Sequence, residues 1–196
     1  WVVATVPGTV LTSYKNAGAV PNPNYADNLF MISESFFNSN FWYRDAFEMP
    51  AGFKQDRVFL NFDGINWKAN VYLHGEKLGK IEGAIIRGVF DVTDKVKAGQ
   101  NVVAVEIVKN AHIGAIKEKY EKNTDFNGGI LGADNPTFHA TIGWDWISTI
   151  RGRNIGIWND VTLTTSGKVT IQDPFVQAVL PLPDTTSAVL TPEVIV

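Results

Sequence analysis

Gly143-Trp144-Asp145-Trp146-Ile147-Ser148-Thr149-Ile150-Arg151-Gly152-Arg153-Asn154-Ile155-Gly156-Ile157-Trp158-Asn159-Asp160-Val161 is the stretch around which the rest of the chain is read. Three of the six Trp fall in it. A carboxylate stands between two indoles, and two Arg flank a Gly shortly afterwards. Indole rings stack on the C–H faces of a sugar, and an acceptor-only carboxylate takes hydrogen bonds from its hydroxyls. The same residues support a second reading: Trp144, Trp146 and Trp158 are sandwich core, and Asp145 pairs with Arg151 or Arg153. Residue chemistry alone leaves both open.

The sequence on either side reads as short strands. Thr137 to Ile142 leads into the stretch, and Gly156 to Thr164 is a further sandwich strand. Upstream, Asn101 to Val108 carries Val103, Val105 and Ile107 on one face. Phe90-Asp91-Val92 precedes a short turn closed by Gly99. Trp67 to Leu73 and Lys77 to Ile81 flank the hairpin turn His74-Gly75-Glu76. Arg57 to Phe62 is a strand, and Phe41 to Met49 places Phe41, Tyr43 and Phe47 opposite Trp42, Arg44 and Glu48. Before these, Trp1 to Val6 reads as an edge strand ending at Pro7-Gly8. Thr9 caps a short helix with Val10, Leu11, Tyr14 and Ala17 at helical spacing, stopped by Gly18. Ala19 to Ser33 is a loop shaped by Pro21, Pro23, Asn22, Asn24 and Asn28. Residues 110 to 136 break the rhythm. Ile113 to Asn123 reads as a partly exposed helical turn, and the glycines of Asp125 to Asn135 as a flexible loop. Past Ser166-Gly167, β runs at Lys168 to Leu180 and Ser187 to Val196 are split by Pro181-Leu182-Pro183-Asp184. Short strands separated by Gly, Pro and Asn turns predict an all-β sandwich.

Composition excludes several classes of function. Seventeen basic and twenty acidic residues give a net charge of −3, without the basic excess of a nucleic-acid binder. No GxGxxG follows a strand, so no nucleotide cofactor is expected. There is no cysteine, hence no disulfide, thiol nucleophile or Cys-ligated metal. His74, His112 and His139 show no ligand spacing, and no metal site is expected. No apolar run reaches the ~18 residues of a membrane span.

The stretch also resembles the sugar-binding domain of glycoside hydrolase family 2, the family of β-galactosidases, β-mannosidases and exo-β-glucosaminidases. Further segments resemble that domain in its order: Val6-Pro7-Gly8-Thr9-Val10, Asn22-Pro23-Asn24-Tyr25-Ala26-Asp27-Asn28, Phe41-Trp42-Tyr43-Arg44, Phe62-Asp63-Gly64-Ile65, Phe90-Asp91-Val92-Thr93 and Ser166-Gly167. The resemblance implies a galactose-binding-like jelly-roll β-sandwich over 1–167. It also implies that 168–196 is the truncated start of an immunoglobulin-like sandwich. Asp145 is then the residue that binds hydroxyls of the terminal, non-reducing-end sugar, with Trp144 or Trp146 as pocket wall. Asn28 lies in the loop that reaches the active-site mouth; as an alternative it is an Asn in a left-handed turn. Arg151 and Arg153 hold the loop or meet the neighbouring domain, and Trp158 is core. The motif departs from the β-mannosidase version, with Ile147-Ser148 in place of Gly-Pro, which leaves the sugar open.

Catalytic residues are expected elsewhere. Retaining hydrolysis needs two carboxyl groups ~5 Å apart, and the family carries both on a TIM barrel, the acid/base Glu following an Asn. None of the eight Glu here follows an Asn, and a barrel does not fit in the residues available. The expected function is therefore one wall of the terminal-sugar pocket of an exo-acting retaining β-glycosidase, non-catalytic alone, completed by immunoglobulin-like and barrel domains of the same protein. The alternative is a stand-alone lectin-like carbohydrate-binding module.

Overall fold

Alternation of apolar and polar residues sets the two faces of the main sheet. The computed structural model describes residues 1–53, 56–116, 129–130 and 149–196. Strands β1 (Phe41–Met49), β2 (Arg57–Phe62), β3 (Ile65–Asn66), β4 (Lys68–Leu73), β5 (Glu76–Glu82), β6 (Gly88–Asp91) and β7 (Gly99–Ile107) follow one another closely. In β7 the buried positions Val103, Val105 and Ile107 alternate with half-buried Val102, Ala104 and Glu106. Residues two apart share a face, so the apolar set points to one side. The antiparallel order is β1-β7-β4-β5. Between β4 and β5, His74 (φ 52°) and Gly75 (φ 83°) are both left-handed, as a two-residue hairpin turn matched to strand twist requires.

A second layer closes the core. It is the sheet β11-β2-β6, with β11 spanning Val161–Ser166, beside the short pair of β3 with β10 (Gly156–Ile157). Val58, Leu60 and Phe62 of β2 face Val71, Leu73, Val105 and Ile107 of the first sheet in one buried cluster. At ~25 cal/mol per Å² of apolar area removed from water, this layering is the main source of stability. The helix α1 (Val10–Asn16) closes one end: Thr9 Oγ1 accepts from the Thr12 amide, and Val10 and Leu11 enter the core. This all-β arrangement is the galactose-binding-like sandwich expected from the sequence.

Local expectations need four corrections. Residues 1–6 form no strand; the Thr5 amide donates to Ser13 Oγ instead of a ladder, and Trp1 is exposed. Residues 19–33 are not wholly loop, because Asn28–Met31 turn into a short helix α2, followed by a 3-10 turn at Glu34–Phe37. Within 113–123, Ala115–Ile116 is a strand (β8) paired with Gly129–Ile130 (β9), and residues 117–123 of the expected helical turn lie outside the described residues. Gly156 to Thr164 divides into β10 and β11, since both the Trp158 and Asn159 amides turn to the Gly64 carbonyl. The strand expected at Thr137 to Ile142 lies outside the described residues. Past the sandwich, β12 (Gln172–Val179) and β13 (Val189–Ile195) pair as a hairpin whose residues are all exposed.

Candidate functional site

Trp144, Asp145 and Trp146 lie outside the described residues. The chain directly after them is held tightly. Thr149 and Arg151 are completely buried and Arg153 nearly so. A buried guanidinium loses its hydration and must recover it from carbonyls and carboxylates. Arg151 Nε donates to the Ile32 carbonyl at 2.6 Å. Arg153 donates through Nε and one terminal nitrogen to the Ile113 carbonyl at 3.1 and 2.8 Å, and through the other to Glu34 Oε1 at 2.9 Å and the Ile150 carbonyl at 3.1 Å. Glu34 Oε1 also accepts the Gly152 amide at 3.0 Å. Burial pulls the Arg153 pKa down from its usual value, and the Glu34 charge opposes that shift. The pair joins the 3-10 turn at 34–37 to the loop at 151–154.

The backbone here has little freedom. Gly152, Arg153 and Asn154 are all left-handed, at φ 71°, 52° and 57°. A Cβ on Gly152 would come within 2.5 Å of the Phe37 ring. Asn66, fully buried, donates its amide to the Arg153 carbonyl at 2.8 Å. The segment then runs into β10, where the Gly8 and Val10 amides donate to the Ile157 and Ile155 carbonyls. The chain before α1, the 3-10 turn at 34–37 and β3 thus all grip residues 150–157.

Asn28 opens α2, four residues before the carbonyl that Arg151 holds. Its side-chain amide donates to the Asn22 carbonyl at 3.0 Å and tightens the 22–28 loop. It is not the left-handed residue there; Ala26 is, at φ 49°. Trp158 is half-buried: its indole N–H donates to the Ala84 carbonyl at 3.0 Å, and its ring lies where a Cβ on Gly64 would stand. Among the described residues, no group of three or more His, Asp or Glu is placed to hold a metal ion.

Glu34 and the Ile32 and Ile113 carbonyls were not legible as partners of the Arg pair. One signal was available: two Arg in a β-rich apolar stretch demand an acidic partner if they are buried. Twenty acidic residues left that partner unnamed.

Fold and loop architecture define a galactose-binding-like β-sandwich domain. The chain belongs to the family described as glycosyl hydrolase 2 galactose-binding domain-like, whose model matches residues 1–159. It is 37% identical over 178 residues to a mannosylglycoprotein endo-beta-mannosidase of Lilium longiflorum, covering 88% of this chain and 18% of that protein. It is 29% identical to an exo-beta-D-glucosaminidase of Streptomyces avermitilis, over 97% of this chain and 19% of the relative. Among solved structures, the exo-chitosanase of Amycolatopsis orientalis superposes with a TM-score of 0.67 at 26% identity, covering 91% of this chain and 18% of that one. The chain thus spans about a fifth of the length of the curated relatives it matches.

Proposed function

We propose that this chain is the sugar-binding domain of an exo-acting retaining β-glycosidase and supplies one wall of the terminal-sugar pocket. Asp145 accepts hydrogen bonds from sugar hydroxyls, Trp144 or Trp146 forms the wall, and Asn28 borders the mouth. Arg151 and Arg153 fix the loop. The observation that carries the reading is the buried grip on residues 150–157, immediately after the Trp-Asp-Trp motif. A recognition loop gains from rigid support, because ordering it on binding would reduce affinity. The catalytic carboxylates and barrel belong to the rest of such a protein, and residues 168–196 begin its next, immunoglobulin-like domain.

The test is Asp145→Ala in the longer protein. Each lost charge-assisted hydrogen bond contributes about 1.5–3 kcal/mol, so kcat/KM should fall roughly ten- to a hundredfold with the melting temperature retained. An unchanged kcat/KM with a lowered melting temperature would remove Asp145 from the pocket. The 196-residue chain alone should turn over no nitrophenyl β-glycoside.

A second reading, cleavage within a glycan, has one specific support: the lily relative is named an endo-beta-mannosidase. Product analysis on an end-labelled oligosaccharide separates the two. Release of single terminal sugars fits the exo reading, and release of internal fragments fits the endo reading.

A further inference from the structure

The outer face of the first sheet carries an arrangement that its fold does not require. Trp42 of β1 and Tyr72 of β4 lie two strands apart, yet their ring centroids are 5.5 Å apart at an interplanar angle of 35°. The ladder explains how they meet. Arg44, Ala104 and Tyr72 are aligned across β1, β7 and β4, so only the methyl of Ala104 stands between the strands there. Trp42 remains 48% exposed. One row over, Trp42 aligns with Glu106 and Asn70. The Glu106 carboxylate accepts the Asn70 amide at 2.9 Å and the Asn40 amide at 2.8 Å, one on each oxygen. The carboxylate is thereby fixed beside the rings with lone pairs to spare.

We propose that this face is a glycan-binding platform, which takes an extended, neutral glycan chain lying across the sheet. The aromatic pair offers a shallow apolar surface to the C–H faces of a pyranose. Glu106, with Asn70 and Asn40, offers an acceptor and amides to the hydroxyls at the ring edge. The ligand is neutral because the face is close to charge balance: Arg44, Lys68, Lys77 and Lys80 are set against Glu48, Glu82 and Glu106. It is a chain and not a single sugar because Trp42 stands half exposed and the two tilted rings enclose no pocket, leaving one sugar ring largely in water. The inference stands apart from the pocket reading, since it uses none of residues 144–146.

Affinity electrophoresis of the 196-residue chain tests it, with soluble β-1,4-mannan and hydroxyethylcellulose as neutral probes and polygalacturonate as the anionic control. At least one neutral glycan should retard the protein, with little dependence on salt, and polygalacturonate should not. Trp42→Ala and Tyr72→Ala should each weaken retardation at least tenfold with the circular dichroism spectrum preserved. Phe175→Ser, on the exposed hairpin, should leave it unchanged. Should Trp42→Ala disturb the fold, Tyr72→Ala and glycan-induced change in wild-type Trp fluorescence decide. No retardation by either neutral probe overturns the proposal. So does retardation of the Trp42 and Tyr72 variants equal to that of wild type, or a loss in Phe175→Ser as large as theirs, which would mark general adhesion.

Discussion

Strand β7 and the hairpin β12–β13 are built from similar residues and end in opposite environments. Val103, Val105 and Ile107 of β7 are 9%, 2% and 0% exposed, whereas Val176, Val179 and Leu190 of the hairpin are 55%, 52% and 62% exposed. Both form antiparallel ladders, that of the hairpin with a register shift between Gln172 and Phe175. Backbone pairing therefore does not distinguish them; the second layer does. The first sheet packs on β2, while among the described residues none covers the hairpin. Sequence periodicity differs as well. β7 alternates buried and half-buried positions, but Phe175-Val176, Val189-Leu190 and Val194-Ile195 put apolar side chains on both faces of the hairpin. Such two-sided strands suit a sheet covered on both sides.

Four measurements sharpen or break this contrast. The largest effect belongs to the sandwich side: Glu34→Ala leaves Arg153 buried without its carboxylate and should destabilise by about 3–5 kcal/mol. Chemical denaturation reads this, and a change under 1 kcal/mol would show that the pair is not a clamp. Next, Leu73→Ala in the core should lose about 2–5 kcal/mol through lost burial and a cavity. Leu190→Ala on the hairpin should stay within about 0.5 kcal/mol. Equal losses would mean that the hairpin is packed in solution.

A pH titration gives a third, smaller effect. The Tyr43 hydroxyl is buried near the Ser13 side chain and the Ile157 backbone without a hydrogen bond of good geometry, and burial pushes its pKa up from 10.0 to about 12. The folded state then holds the proton more firmly than the unfolded chain. Its contribution is complete below pH ~10 and is lost as pH rises through about 12, an effect of roughly 2–3 kcal/mol. Wild type should therefore lose stability faster than Tyr43→Phe between pH 10 and 12, and parallel curves would refute this. The smallest effect is expected from deleting residues 168–196. The sandwich melting temperature should move by no more than about 2 °C, because an isolated two-stranded hairpin is marginal in water. A drop of ten degrees would place the hairpin inside the cooperative unit.

Short-range chemistry was the legible part. The Thr9 cap, the His74-Gly75 turn and the alternation of β1, β2 and β7 depend on neighbours in sequence, and each reads directly from residue order. The edge strand expected at Trp1 to Val6 failed for a tertiary reason: β-branched residues make a strand only where a ladder partner is free. At the site, the motif named the loop, but Glu34 and the Ile32 carbonyl, two of its supports, are more than a hundred residues away in sequence. Neither Glu34 nor the Ile32 carbonyl carries any local mark of that role.

That separation has a consequence for biosynthesis. Glu34 and Arg153 are 119 residues apart. At synthesis rates of about 5–20 residues per second, roughly six to twenty-four seconds pass between the emergence of the two from the ribosome. Residues 28–37 wait through that interval with the Ile32 carbonyl lacking Arg151 and Phe37 packed only on Tyr14 and Phe41, without Gly152. The segment that frames the loop is thus among the last to settle in the nascent chain, and a chaperone that recognises exposed aromatic segments would find Phe36-Phe37 available for that time.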